Sequence, residues 1–164
     1  MDIVGAIERY CTAPCCWSVG DDLASLEWAE GNPLPKPTQQ DLEAAWAECQ
    51  FDRLRQYAAA KRYAVETGGI WVGGMFVLTD RDSQNLIQGA RALSVEEPDE
   101  PVEFKASSGW ITIDAATIQG IALAVGRHVR ACFAAERLVS AAIDAGTITT
   151  PEQIDAAPWP QALT

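Results

Sequence analysis

The sequence predicts an α+β fold in which long helices pack on short antiparallel β-hairpins. Three observations carry that expectation. Residues 39–66 contain no Gly or Pro and place apolar side chains at helical spacing. Residues 115–145 repeat apolar side chains every three and four positions. Two pairs of short apolar runs, 70–72 with 75–78 and 102–105 with 110–113, are each split by a turn-forming segment. Hairpins, not β-α-β crossovers, therefore supply the strands.

Taken in order, residues 2–11 set Ile3, Ala6, Ile7 and Tyr10 on one helical face, with Gly5 weakening the run. Residues 16–19 and 23–28 read as two short strands around Gly20, Asp21 and Asp22. Alternation puts Leu26 and Trp28 on one face of the second. Pro33, Pro35 and Pro37 alternate through GNPLPKPT, which favours an extended, polyproline-like linker. That linker is the best internal boundary. It closes an N-terminal leader at 1–36 and opens an α+β domain with two long helices at 37–164. Thr38 is suited to cap the first long helix, with Asp41 in the reciprocal position of a capping box. At about 1.5 Å per residue this helix extends about 40 Å, with Leu42, Ala45, Trp46 and Cys49 on one stripe. Gly68 and Gly69 end it, as a left-handed C-cap does.

The stretch ETGGIWVGGMFVLTDRDSQ, residues 66–84, could cradle a phosphate or turn a hairpin. A phosphate loop leads its glycines into a helix N-terminus, and a P-loop also carries a Lys. Here Gly73 and Gly74 lead into Met75–Leu78 and no Lys follows, so the hairpin is expected. Thr79 is the expected N-cap of the next helix, with Asp82 in its box position and Leu86, Ala90 and Leu93 as its apolar face. SVEEPDEP reads as an exposed acidic loop, and ASSG joins the second hairpin. Asp114 caps the last long helix. Its inward stripe is expected at Ile118, Ile121, Val125, Val129, Cys132 and Phe133, continuing through Leu138, Ala141, Ala142 and Ala145. Gly146 follows it as a C-cap glycine, Pro151 opens a final turn, and Trp159 packs near the end.

The chain has 164 residues and a formal net charge of -11. That balance argues against nucleic acid, which needs clustered Lys and Arg, and against an anionic membrane surface. It suits solubility or a basic protein partner. The N-terminus lacks the basic and apolar regions of a secretion signal, and no apolar run approaches the roughly 20 residues that span a bilayer. Cys11, Cys15, Cys16, Cys49 and Cys132 are odd in number and lack Cys-x-x-Cys spacing, so they read as buried apolar residues in a reducing compartment.

Candidate chemistry is sparse. His128 has no carboxylate at helical spacing to orient it as a general base, and Cys132, four residues on, shares the apolar stripe. Asp80 and Asp82 fit helix capping better than a calcium loop, because TDRDSQ lacks the sixth-position Gly and twelfth-position Glu of an EF-hand. The acidic pairs available to an enzyme cleaving envelope polymers, such as Glu96 with Glu97, are explained locally. No catalytic residue, cofactor or metal ligand is assigned. Trp17, Trp28, Trp46 and Trp159 are the candidate interface residues, since Trp is enriched where proteins meet.

Two blocks carry a resemblance: AAKRYAVETGGIWVGGMFVLTDRDSQNLIQGA and VEFKASSGWITIDAATIQGIALAVGRHVRACFAAERLVSAAIDAG. An R-x-x-x-E-x-G-G helix end, a glycine hairpin, a T-D-x-x-S helix start, a second hairpin and a long helix containing His-Val follow one another across residues 60–148. This resembles a family of uncharacterised domains encoded in bacteriophage tail gene clusters. WSVGDDLASLEW and the Pro-Thr helix start resemble the leader attached to such domains, with a shorter Trp-to-Gly gap. The resemblance implies a structural tail protein, associated with the tail fibre or baseplate and working through contacts with other tail proteins. A tail-fibre assembly chaperone is the alternative, and an envelope-degrading enzyme the remote one. It implies synthesis in the host cytoplasm, residence in the virion tail and self-association, since helices of about 40 Å cannot bury a whole stripe against so small a domain. It transfers no catalytic residue.

Overall fold

The computed structural model describes residues 1–106 and 109–161. The architecture is α+β, with long helices and three two-stranded antiparallel sheets. The chain forms two compact units, Met1–Gln56 and Tyr57–Thr164. The proline segment, expected to mark the boundary at residue 36, lies within the first.

In the first unit, α1 (Ile3–Tyr10) is capped by Asp2, whose carboxylate accepts from the Gly5 amide at 3.1 Å. Gly5 has a packing reason. A Cβ there would stand 2.9 Å from the Asp2 carboxylate and 3.4 Å from the Trp46 ring. Strands β1 (Trp17–Ser18) and β2 (Glu27–Trp28) pair Trp17 with Trp28. The expected strand at 23–28 is only its last two residues, because Leu23–Ser25 coil into a single 3-10 turn. Asp22 holds that turn by accepting from the Ser25 amide at 3.0 Å, and the Ser25 hydroxyl donates to the Asp22 carbonyl at 2.6 Å. The proline segment is not a free linker. Trp28 Nε1 donates to the Leu34 carbonyl at 3.0 Å and Lys36 Nζ to the Leu26 carbonyl at 2.6 Å. Ala6, Ile7, Leu26 and Leu42 form this unit's core, flanked by half-buried Trp17, Trp28 and Trp46.

Helix α2 (Gln39–Thr67) begins at the expected capping box, with Asp41 donating its amide to Thr38 Oγ1 at 3.2 Å and accepting from the Thr38 amide at 2.8 Å. It ends where Gly69 turns left-handed at φ 87. Strands β3 (Ile70–Val72) and β4 (Met75–Val77) form the hairpin, with φ 57 at Gly73 and 81 at Gly74, the pair of positive angles that a tight two-residue turn needs.

Helix α3 (Arg81–Glu96) starts differently from the expectation. Asp80, not Thr79, is its N-cap, accepting from the amides of Asp82 and Ser83. Thr79 is buried, its hydroxyl committed elsewhere. The inward face is also displaced: Ile87, Ala90 and Ser94 point to the core, while Leu86 and Leu93 are 71% and 54% exposed. One residue of offset is about 100° around a helix, enough to move a side chain from core to solvent.

Strands β5 (Val102–Ala106) and β6 (Gly109–Ile113) form the second hairpin. The Ser-Ser of its expected ASSG turn lies outside the described residues. Asp114 caps α4 (Ala115–Asp144) through the Thr117 amide at 2.7 Å. The buried stripe runs Ile118, Ile121, Val125, His128, Cys132, Val139 and Ile143. Phe133 and Leu138, expected inside, are exposed, because steps of three and four from Cys132 lead to Val139 rather than Leu138. A full capping box of Thr150 and Gln153 starts α5 (Pro151–Asp155). The second core gathers Ile70, Val77, Ile87, Ile113, Ile118, Ile121, Ala122 and Val125 from β3, β4, α3, β6 and α4.

Candidate functional site

The two motifs at 62–69 and 79–83, far apart in role on paper, meet in one buried polar knot. Its centre is Glu66, on the last turn of α2, fully buried. A buried carboxylate is strongly unfavourable unless it is paired and hydrogen-bonded, and here every oxygen is occupied. Oε2 takes the Arg62 guanidinium, one helical turn back. Oε1 takes Arg81 Nη1 at 2.9 Å and Gln84 Nε2 at 3.4 Å, both from the first turn of α3. The Glu66 carbonyl accepts the Thr79 hydroxyl at 2.6 Å.

Thr79 closes the loop. Its Oγ1 also accepts the Gly69 amide at 2.9 Å, and its carbonyl accepts Gln84 Nε2 at 2.7 Å. One hydroxyl thus ties the end of α2 to the exit of the hairpin. Asp80 next to it is committed to capping. The Ser83 hydroxyl and amide hold its carboxyl below the ordinary 3.8. Asp82, considered beside it, donates only its amide to Asp80.

Arg62 carries the knot to α4. Its Nε donates to Glu136 Oε2 at 2.9 Å, and its guanidinium lies 4.5 Å from the Phe133 ring centre. Burial acts to lower its pKa, but hydrogen bonds to Glu66 and Glu136 outweigh that and raise it. Two guanidiniums therefore face two carboxylates, which balances the charge of the fully buried Glu66.

His128 and Cys132 sit on the same face of α4. His128 Nε2 donates to the Val65 carbonyl at 3.1 Å. A carbonyl only accepts, so this bond places the proton on Nε2. Cys132 Sγ lies 3.6 Å from that same nitrogen. A nucleophilic pair needs the facing nitrogen bare, ready to take the thiol proton. Burial, then the negative charge of Glu66, push the Cys132 thiol up to about 11. The pair drawn from sequence spacing is real in space and holds α4 against the end of α2, with the thiol kept protonated.

The four tryptophans singled out from sequence separate. Trp17, Trp28 and Trp46 are half-buried against the first unit's core. Trp159 is buried, its Nε1 donating to the Ile154 carbonyl at 2.7 Å, so it anchors the C-terminal segment and presents no face outward. In the second unit Trp71 and Trp110 are 43% and 72% exposed. Among the described residues no group of three or more His, Cys, Asp or Glu is placed to hold a metal ion. Among them also, no helix is long and apolar enough to cross a membrane.

The knot was only partly visible beforehand. Arg62 and Glu66 at four-residue spacing are a sequence-level signal of pairing. Nothing local announced that Arg81, Gln84, Thr79 and Glu136 would converge on them. Residues 49–158 match a family described as Domain of unknown function (DUF4376), a span that contains every member of the knot. No curated protein and no solved structure matches the chain.

Proposed function

We propose that this chain, which belongs to the DUF4376 family, is a structural protein of a bacteriophage tail, associated with the fibre or baseplate and acting through protein contacts. The observation that carries the contact role is what the second unit leaves outside. Leu86 and Leu93 on α3, Leu123 and Leu138 on α4, and Trp110 on β6 are all more than half exposed, from 53% to 72%. In this reading these side chains lie on the surfaces that partner proteins cover. The tail assignment rests on the motif resemblance across residues 60–148. In keeping with it, the motif residues act as fasteners: Arg62, Glu66, Gly69 and Thr79 satisfy one another, and Asp80 and Ser83 form a cap.

Quantitative mass spectrometry of purified virions tests the proposal. The chain is expected in fixed proportion to the fibre or baseplate proteins. Its absence from particles, with recovery bound to fibre protein in the infected-cell lysate, would overturn the structural role in favour of an assembly chaperone. Absence from both sinks the tail assignment altogether.

A further inference from the structure

In the second unit, Arg62 and Arg81 are spent on Glu66 and Glu136. Arg91, Arg127, Arg130 and Arg137 make no ion pair among the described residues, although the chain holds 23 acidic residues against 12 basic ones. Three of these four line a single groove of about 430 Å³ between α3 and α4, together with Gln88, Gln119 and Gly126, and no carboxylate lines it.

One lining residue of the groove is a glycine. Gly126 sits inside α4, where glycine weakens a helix by about 1 kcal/mol relative to alanine. Packing does not require it, since an added Cβ would meet no atom within 4 Å. The three guanidiniums of the groove have forked donors that match carboxylates.

The complementary surface is on the same unit. Residues 96–103 hold five carboxylates, Glu96, Glu97, Asp99, Glu100 and Glu103, and no basic residue. Between Glu97 and Glu100 the chain makes a tight turn, with the Glu100 amide donating to the Glu97 carbonyl at 3.2 Å, and this turn is exposed. None of the five carboxylates pairs with an arginine among the described residues. Within one copy neither the acidic segment nor the three groove arginines make an ion pair among the described residues, and Glu103 accepts only the Thr112 hydroxyl, at 2.8 Å.

We infer that the arginine groove of one copy receives the acidic 96–103 turn of a second copy. The contact proposed is head-to-tail, and it extends into chains or closes into rings. It rests on the reading of this protein as a scaffold that works through protein contacts, and names one of those contacts.

Charge exchange tests it. Sedimentation velocity of the full chain at micromolar concentration is expected to show association that weakens as salt rises. Arg91→Glu/Arg127→Glu/Arg130→Glu and Glu97→Lys/Glu100→Lys/Glu103→Lys are each expected to raise the dissociation constant by roughly tenfold or more. An equimolar mixture of the two restores association, because each variant's altered surface then meets its opposite. Circular dichroism and melting of each variant establish that it is folded. A monomeric wild type, or triple variants that associate as the wild type does, or a mixture that stays monomeric, overturns the inference. If the variants associate normally while the chain is still found in virions, the head-to-tail contact falls and the tail role stands.

Discussion

Substituting Gly69 by alanine isolates how tightly the end of α2 is bound to the first hairpin. Two effects add. At φ 87 an L-residue is strained by about 1–2 kcal/mol. The new Cβ would also lie 2.3 Å from Phe76 Cζ, and 2.9 Å from both Cε atoms. Carbon atoms rest at about 3.5–4.0 Å, so the ring must retreat by more than about 1 Å. Phe76 is packed edge-on to Trp71 at a centroid distance of 5.4 Å, a contact worth about 0.5–1.5 kcal/mol. Overpacking of this kind costs about 1–3 kcal/mol, so Gly69→Ala should destabilise by about 2–5 kcal/mol in all. Gly74→Ala is the control, since it has φ 81 and nothing within 4 Å. It should lose only the backbone part, about 1–2 kcal/mol. Urea titration followed by circular dichroism measures both. Combining Gly69→Ala with Phe76→Leu should recover part of the difference. If Gly69→Ala loses no more than Gly74→Ala, the close approach of Phe76 is not what requires glycine there.

Three further outcomes follow from the same structure. Glu66→Ala removes one of the two carboxylates on partly buried Arg62, which keeps Glu136, and should lose about 1.5–3 kcal/mol by urea titration, whereas Glu66→Gln, which keeps an acceptor, should lose less. Capping hydrogen bonds lower the carboxyls of Asp41, Asp80 and Asp114 from 3.8. A depressed folded pKa stabilises above the unfolded value and is lost as pH falls through the folded one, so helical signal should decline as pH drops below about 4. The Asp80→Asn variant, which still caps, should shed part of that dependence. Finally, Cys132 is buried with its thiol pushed up to about 11, so at pH 8 iodoacetamide should modify exposed Cys16 in the native protein and Cys132 only after unfolding, as read by peptide mass spectrometry.

The elements were legible because their signals are local. A capping box at Thr38 and Asp41, paired glycines at 73–74, an Asp at 114 before an apolar period of three and four, and a Thr-Pro start at 150–151 each act within a few residues. The failures were also local in cause. At Thr79 and Asp80 two adjacent residues can both cap, and the sequence alone does not say that the first will be drawn into the core by Glu66 and Gly69. At Leu86 and Leu93 the buried face lies one residue further on, at Ile87 and Ser94, while Ala90 is inward as expected. Trp159, a candidate interface residue by its type, is buried, with its indole donating to the Ile154 carbonyl inside its own unit.

By itself, then, the sequence determined where helices begin and end, where the chain reverses, and the shortage of basic charge. These depend on caps, glycines and composition, whose energies are settled between near neighbours. Tertiary structure alone decided that a glutamate would be wholly buried, that Arg62 and Arg81 would be spent on it, and that Arg91, Arg127 and Arg130 would gather unpaired along one groove. Burying a charge is favourable only when distant residues arrive together to satisfy it, and here those partners stand 4, 15 and 18 positions from Glu66 in the chain.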